Sequence, residues 1–229
     1  MNTAIAPDVP EANTQMWDKI YRSGSMLWYP AEALVRLVRR HEKSDGFAGT
    51  ILDHGCGTGN VAEFLTRSGH AVHCTDVSSE ALAIVSQRFA KAGLPNPGIT
   101  LIEPRLDLGQ QLPQFNHVIA WQSLCYGTRP NTIASIASLV EVLPAGGCFI
   151  MCFPTANDLL YRRSEPLADG SRCFSESVSD QMGAVLTIPE SEEELRSWCS
   201  GITIRDVVEY GMRFAGEQNQ FHVIYGVKA

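Results

Sequence analysis

Residues 51–60 read ILDHGCGTGN, and this stretch decides the fold. A short apolar run ends in Asp53, and Gly55, Gly57 and Gly59 then alternate with other residues. Glycine inside a helix or strand costs about 0.5–1 kcal/mol relative to alanine, so repeated glycines belong in a loop or where the backbone approaches something closely. We therefore interpret the stretch as a buried strand, then a loop with room for a ligand against bare backbone, then a helix.

Strand-like and helix-like segments alternate on both sides of this loop, which predicts an α/β fold with a sheet covered on both faces. At the C-terminal end, residues 202–210 and 221–228 alternate apolar and polar side chains and predict an antiparallel hairpin joined by residues 211–220. Further strands are predicted at 71–77, 99–106, 117–124 and 143–153, and helices at 31–41, 60–69, 78–93, 131–143 and 191–199.

Charge and hydropathy exclude several classes of partner. The formal net charge is -7 and no Lys/Arg-rich run is present, which argues against nucleic acid or an anionic membrane surface. No apolar stretch approaches the ~20 residues that cross a bilayer. The first fifteen residues lack the basic start and apolar block of a secretion signal. We expect a cytoplasmic protein with neither a nucleic-acid nor a membrane partner, and the oligomeric state stays open.

Cysteine usage predicts reduced thiols and no metal site. The seven cysteines are scattered along the chain, which is typical of small buried hydrophobic residues in a reducing compartment. Cys148 and Cys152 would point to the same face of one strand, but no second pair or histidine partner follows them. Zinc sites require a fuller ligand set than this.

The motifs resemble those of the class I S-adenosylmethionine-dependent methyltransferases. DHGCGTG follows the first strand, Asp76 ends the next, Asp107 follows the third, and LPAGG precedes the fifth, so the resemblance covers residues 45–155. The stretch MWDKIYRSGSMLWYP resembles the lead-in of small-molecule members such as the thiopurine and tellurite-resistance types. The resemblance implies a Rossmann-like, doubly wound, mostly parallel seven-stranded sheet with a C-terminal antiparallel hairpin, and S-adenosylmethionine as cofactor.

We expect residues 1–229 to form a single methyltransferase domain in five parts. The parts are a flexible arm (1–15), an N-terminal lid and helix (16–44), a cofactor-binding core (45–153), an insertion that covers the substrate (154–190), and a C-terminal helix and hairpin (191–229).

The resemblance also implies how the cofactor is held. Gly55 and Gly57 would lie under its methionine and ribose portions, and Asp53 would support its amino group. Asp76 would accept hydrogen bonds from the ribose diol, although an aspartate here is also typical of a helix cap. Asp107 would accept from the adenine amine, or it is an ordinary turn residue. The predicted cofactor-binding set is Asp53, Gly55, Cys56, Gly57, Gly59, Asp76, Val77, Asp107, Leu108, Trp121, Gln122, Trp17 and Tyr21.

Three groups of residues have alternative interpretations. Trp17, Tyr21, Trp28 and Tyr29 form a lid over the cofactor by resemblance, or they are apolar contacts that dock the first helix. Trp121 either faces the reaction at the end of the fourth strand or belongs to the core. The three arginines of the insertion either recognise an acidic substrate or are solvated; they are Arg162, Arg163 and Arg172.

The function predicted is methyl transfer from S-adenosylmethionine to N, O or S of a small molecule, and we expect a role in a specialised biosynthetic pathway. No general base is evident, and His54 and Tyr126 are weak candidates for catalysis. One alternative is an NAD-type oxidoreductase, although the third glycine falls at Gly59 and not at position 60, where the G-x-G-x-x-G pattern needs it. The other alternative is a non-catalytic module that binds S-adenosylmethionine.

Overall fold

The computed structural model of this protein describes residues 9–44, 46–104, 106–175 and 181–229. A seven-stranded sheet forms its centre, helices cover both faces, and a small three-stranded sheet lies beside it. The elements of the described residues, in chain order, are α1 (Val9–Arg22), α2 (Glu32–Ser44), β1 (Thr50–His54), α3 (Asn60–Arg67), β2 (Ala71–Asp76), α4 (Ser79–Ala92), β3 (Gly98–Leu101), α5 (Leu108–Gln111), β4 (His117–Trp121), α6 (Arg129–Val142), β5 (Cys148–Pro154), α7 (Leu159–Arg162), β6 (Ser164–Pro166), β7 (Arg172–Phe174), β8 (Val185–Leu186), α8 (Glu192–Ser197), β9 (Ile202–Phe214) and β10 (Glu217–Lys228).

The large sheet has the strand order β3-β2-β1-β4-β5-β10-β9. The first five strands of that order are parallel, and β10 runs antiparallel to both of its neighbours. The predicted α/β class, mostly parallel seven-stranded sheet and C-terminal hairpin are therefore confirmed. The order reverses between β1 and β4, which is where open α/β sheets bind ligands, at the carboxyl ends of the strands.

The core forms two layers, one on each face of the sheet. Successive side chains of a strand point to opposite faces, so Ile51 packs in one layer and Leu52 in the other. In β5, Cys148 and Cys152 share the layer of Ile51, as their spacing predicts. All seven cysteines lie in the described residues, and none of them forms a disulfide bond.

Capping side chains and a glycine explain where α4 begins and ends and where α8 begins. Ser78 caps α4, because its side chain accepts a hydrogen bond from the Ala81 N–H, and Gly93 ends that helix in the left-handed conformation. Ser191 caps α8 through the Glu194 N–H, but the Glu194 carboxylate accepts from the Glu190 N–H instead of closing a capping box.

Two predicted boundaries are wrong, those of the N-terminal arm and of the hairpin turn. The arm expected over residues 1–15 is helical from Val9 onward, and residues 1–8 lie outside the described residues. The hairpin turn is the pair Ala215 and Gly216, both with positive φ, so β9 and β10 extend through most of the predicted loop. The insertion at 154–190 contains β6, β7 and β8, whose two or three residues each are too short to show a period. No helix among the described residues is long and apolar enough to span a bilayer.

Candidate functional site

A cavity of about 440 Å³ opens at the carboxyl edge of the parallel strands. The end of β1 contributes His54 and Gly55, the end of β2 contributes Asp76 and Val77, and residues just after β4 contribute Gln122. The α1 helix covers the cavity from above, and α6 closes the opposite side. The cavity therefore lies at the edge where an open α/β sheet offers its ligand site.

Asp76 joins this wall of the cavity to the glycine loop. Its Oδ2 accepts a hydrogen bond from the Gly57 N–H at 2.8 Å, and its Oδ1 accepts from the Ser78 N–H at 2.9 Å. Burial raises the pKa of the Asp76 carboxyl. The helix-cap alternative does not describe Asp76, since the side chain that caps α4 is Ser78. Asp76 thus lines the cavity and holds the loop beside it.

The three glycines of the loop face different neighbours. A Cβ at Gly55 would lie 2.2 Å from Cβ of Ser123, and one at Gly59 would lie 3.0 Å from the Val85 side chain. A Cβ at Gly57 would lie 3.0 Å from the Tyr21 hydroxyl, on the cavity-covering helix. A side chain at Gly55 or Gly59 would therefore clash with Ser123 or Val85, and one at Gly57 would meet the covering helix. Of the three, Gly55 lines the cavity, and Gly57 and Gly59 do not.

Asp53 and Cys56 lie beneath the loop and outside the cavity lining. Asp53 is 1% exposed, accepts a backbone hydrogen bond from Ala62, and has an Oδ2 with no hydrogen-bond partner. Burial raises the pKa of its carboxyl to about 7. Cys56 belongs to the first core layer. Asp53 therefore keeps a buried acceptor directly under the glycine loop.

Val77, Asp107 and Leu108 line the cavity on the side of β3. Asp107 is exposed and caps α5 by accepting from the Gln110 N–H at 3.2 Å, so it has the turn role considered for it while its side chain still borders the cavity. Trp121 does not line the cavity and stacks on Tyr210 at 5.7 Å in the first core layer, which is the core role considered for it.

Gln122 is the strained residue of the site. It has a φ of 53°, in the left-handed region that residues other than glycine seldom adopt. Its Nε2 donates to the Tyr210 hydroxyl at 3.3 Å. Such strain clusters at functional sites, where the surrounding structure holds it in place.

His54 and Tyr126 line the cavity, and neither is poised to take a proton. The Nδ1 of His54 lies 3.0 Å from Oγ1 of Thr75, and burial lowers the pKa of the imidazole to about 4. The Tyr126 hydroxyl donates to Oε1 of Gln181 at 3.4 Å, and burial raises the pKa of its phenol. Near pH 7 the imidazole is neutral and the phenol protonated.

The covering helix α1, which we call the lid, presents Trp17 and Tyr21 to the cavity. Asp18 accepts a hydrogen bond from the Ser78 hydroxyl, and the Asn13 side chain pairs with both the N–H and the C=O of Val185 in β8 at 3.3 Å each. The lid is therefore fixed at one end to α4 and at the other to the small sheet.

Trp28 and Tyr29 are not part of the lid. They are 65% and 85% exposed and follow α1 in the connection to α2. Arg88 fixes this connection: its guanidinium lies 5.7 Å from the Trp28 ring and donates to the carbonyls of Leu27 and Trp28. The prediction of a four-membered aromatic lid is therefore wrong for these two residues.

Several lining residues were missed from the sequence. Asn13 and Thr14 extend the lid surface toward its N-terminus, and Asn131, Ser135 and Ser138 form a polar stripe on α6. The spacing of that stripe, i, i+4 and i+7, is a recognisable signal of one helix face. The signal is ambiguous alone, because a polar stripe usually faces water and only the position of α6 turns it inward.

The arginines of the insertion point away from the cavity. Arg163 pairs with Glu217, and Arg162 donates to the Gln218 carbonyl. Arg172 donates to Oγ of Ser164 at 2.8 Å and lies 3.9 Å above the ring of Tyr161. Among the described residues, no group of three or more His, Cys, Asp or Glu side chains could hold a metal ion.

Comparison of the sequence with known proteins gives a family match and a distant relative. Residues 51–147 match the family described as a methyltransferase domain. The S-adenosyl-L-methionine-dependent Diels-Alderase of Talaromyces variabilis is 27% identical over 136 residues, which is 57% of this chain and 46% of that protein. The chain thus spans about half the length of that relative.

Two solved structures share the fold over nearly the whole chain. The S-adenosylmethionine-dependent methyltransferase of Anabaena variabilis superposes with a TM-score of 0.72 at 16% identity, over 98% of this chain and 96% of that one. The magnesium protoporphyrin IX methyltransferase of Synechocystis PCC 6803, with S-adenosylmethionine bound, gives a TM-score of 0.68 at 16% identity, over 99% and 100%. At such identities the likeness concerns the fold.

Proposed function

We propose that this chain is a class I S-adenosylmethionine-dependent methyltransferase and that it transfers a methyl group from S-adenosylmethionine to a small molecule. One observation carries the proposal. Asp76 lines the cavity and accepts a hydrogen bond from Gly57, so the acid of the second strand and the glycine loop meet at one wall. A sulfonium nucleoside needs both groups there, one for its sugar and one for its amino-acid part.

The residues present fit S-adenosylmethionine. Asp53 keeps an unpartnered buried oxygen that can accept from an amino group, and Gly57 leaves bare backbone beside the lid. Asp76 would hold the ribose, while Asp107 and the Leu108 N–H would hold the adenine, with Val77 against its ring. When bound, S-adenosylmethionine supplies a methyl group that is activated by the positive charge of its sulfur.

The contribution of the chain is positioning and the exclusion of water. Methyl transfer needs the acceptor atom and the methyl carbon about 3–3.5 Å apart and in line, and a fixed geometry supplies much of the rate. The lid covers the cavity with Trp17 and Tyr21, which keeps bulk water from the reacting atoms. The strained Gln122 would hold the wall nearest the acceptor.

A small-molecule acceptor agrees with the position of the cavity under the lid and with the negative net charge of the chain. The cavity is enclosed by the lid, and the chain has a formal net charge of -7, which does not favour nucleic acid. Residues 121–124, which start at the last residue of β4, read WQSL. They lack the [DNS]-P-P-[FYW] pattern of enzymes that methylate nucleic-acid bases. A role in a specialised biosynthetic pathway and a cytoplasmic location belong to this proposal.

A second candidate function is catalysis with bound S-adenosylmethionine but without methyl transfer. The relative from Talaromyces variabilis favours it, since that protein is named as a Diels-Alderase that depends on S-adenosyl-L-methionine. Such an enzyme would bind the cofactor in the same cavity and use it to shape and polarise the site.

Isothermal titration and a labelled cofactor test these alternatives. We expect S-adenosylmethionine and S-adenosylhomocysteine to bind and NAD not to bind. With methyl-labelled cofactor and a panel of small acceptors, label should appear in an acceptor. Binding of NAD alone would defeat the proposal, whereas cofactor binding with a converted acceptor that never carries label would favour the second candidate.

A further inference from the structure

The charged side chains that line the cavity, among the described residues, are all acidic. Among its described lining residues, the ionisable acids are Asp76, Glu103 and Asp107, and no lysine or arginine is present. A cleft lined by one sign of charge concentrates ligands of the opposite sign. The potential in this cavity therefore opposes a negatively charged acceptor.

Two described arginines that are close in sequence to lining residues are paired elsewhere. Arg22 of the lid bonds to Glu80 at 2.8 Å, and Arg129 pairs with Glu194 while lying 5.4 Å from the Trp198 ring. Turning either one into the cavity would break an existing ion pair. A carboxylate, phosphate or phenolate acceptor would thus find no described lysine or arginine in the cavity lining to pair with.

The cavity also lacks a side chain suited to remove a proton from the acceptor. His54 is occupied by Thr75 through Nδ1, and its low basicity gives little driving force for proton abstraction. Tyr126 is engaged with Gln181. An alcohol or phenol, which must lose its proton on methylation, has no described base to receive it.

Three aromatic side chains, Trp17, Tyr21 and Tyr126, also line the cavity. Trp17 meets the Tyr126 ring edge-on at 4.7 Å between centroids and stacks on Tyr21 at 5.7 Å. Aromatic faces attract cations by roughly 0.5–2 kcal/mol. These rings suit a positive charge that stays in the cavity during the reaction.

We propose that the acceptor is a small molecule with an uncharged amine, methylated on nitrogen; this rests on the proposed function. The nitrogen lone pair forms the bond to the methyl carbon while the carbon–sulfur bond breaks and its electron pair stays on sulfur. The single positive charge moves from sulfur to nitrogen, so the net charge of the cavity is the same before and after transfer. A remaining proton on the new ammonium leaves to water once the lid opens.

Binding of three ligands of nearly equal shape tests the inference. They are choline (a cation), 3,3-dimethylbutan-1-ol (neutral) and 3,3-dimethylbutanoate (an anion), titrated by NMR into protein saturated with S-adenosylhomocysteine. We expect choline to bind at least about threefold more tightly than the neutral alcohol, and the anion to bind most weakly. In Y126L the ratio of choline to alcohol affinity should fall toward one. An anion that binds as tightly as choline would overturn the inference.

The same series separates failure of the inference from failure of the proposed function. Protein that binds S-adenosylhomocysteine but prefers the anion refutes the amine and leaves the methyltransferase proposal in place. Protein that does not bind S-adenosylhomocysteine refutes the proposed function. Arg105 follows the lining residue Pro104 but lies outside the described residues, so R105Q is included. The preference for choline should persist in R105Q; a preference for the anion that R105Q abolishes would refute the inference.

Discussion

At the scale of single residues, the Asp76 carboxylate has two roles, and its removal affects both. Asp76→Ala removes the proposed ribose contact and also the acceptor for the Gly57 and Ser78 N–H groups. We expect the affinity for S-adenosylmethionine to fall by about 1.5–3 kcal/mol, the range for hydrogen bonds to a charged group. Titration calorimetry measures this, and E193Q serves as the control, since it neutralises an exposed carboxylate of α8 that does not line the cavity. An unchanged dissociation constant would remove Asp76 from the cofactor site.

Gly57 is tested against a matched glycine. Gly57 and Gly69 both have positive φ, but a Cβ meets the Tyr21 hydroxyl at the first and nothing within 4 Å at the second. Alanine at either position should cost about 1–2 kcal/mol of stability, because the left-handed conformation is strained for residues with a Cβ. Only G57A should also weaken cofactor binding, measured by calorimetry. Equal affinity in G57A and G69A would contradict the close-approach interpretation of the loop.

The raised pKa of Asp53 predicts that the free energy of unfolding depends on pH. Burial raises the pKa of its carboxyl from 3.8 to about 7, so between these pH values the folded protein keeps a proton that the unfolded chain has released. Its contribution therefore becomes more destabilising as the pH rises through this range. D53N should be more stable than the wild type at pH 8, by up to about 4 kcal/mol, and little different near pH 4.

Urea unfolding at several pH values measures this difference. Cofactor titration of D53N supplies the second readout, because the same change removes the carboxylate that would accept from the amino group. A stability difference that does not change with pH would show that Asp53 keeps an ordinary pKa.

At the scale of elements, the attachment of the lid to the small sheet is made by one side chain. Asn13 bonds to the backbone of β8 as a neighbouring strand would. Asn13 donates to the Val185 carbonyl and accepts from its N–H, which fixes α1 to β8. N13A leaves both backbone groups of Val185 without that partner, at a cost of about 1–3 kcal/mol, and should speed cofactor dissociation in stopped-flow measurements. Q15A is the control, since Gln15 is exposed on the same helix and bonds to Glu11, one turn away. Equal dissociation rates in the two variants would show that the lid does not retain the cofactor.

At the scale of the whole molecule, cofactor binding and folding are linked. A ligand that binds only the folded protein at 100 times its dissociation constant stabilises it by about 2.7 kcal/mol. For a domain of this size, that corresponds to a rise in Tm of roughly 5–10 °C. Differential scanning fluorimetry should show this rise with S-adenosylhomocysteine and none with NAD. A rise with NAD alone would reverse the choice of cofactor.

The amino-acid sequence alone determined the architecture. Strands such as Thr50–His54 and Ala71–Asp76 are buried, continuous and bounded by glycine or a capping serine, so local pattern and tertiary structure agree. The glycine loop and the acid at the end of the second strand were predicted for the same reason. Their spacing follows from chain connectivity in a βαβ unit, which brings both to one edge of the sheet.

Only the tertiary structure decided which predicted residues reach the cavity. Periodicity gives the face of an element but not what covers it, so Trp121 and Trp28 looked equivalent to Trp17 until packing placed one in the core and one in solvent. The helix that forms the lid and the polar stripe of α6 were missed for the same reason. Each owes its place to contacts between residues far apart in sequence, such as Asn13 with Val185, and a local pattern contains no record of such contacts.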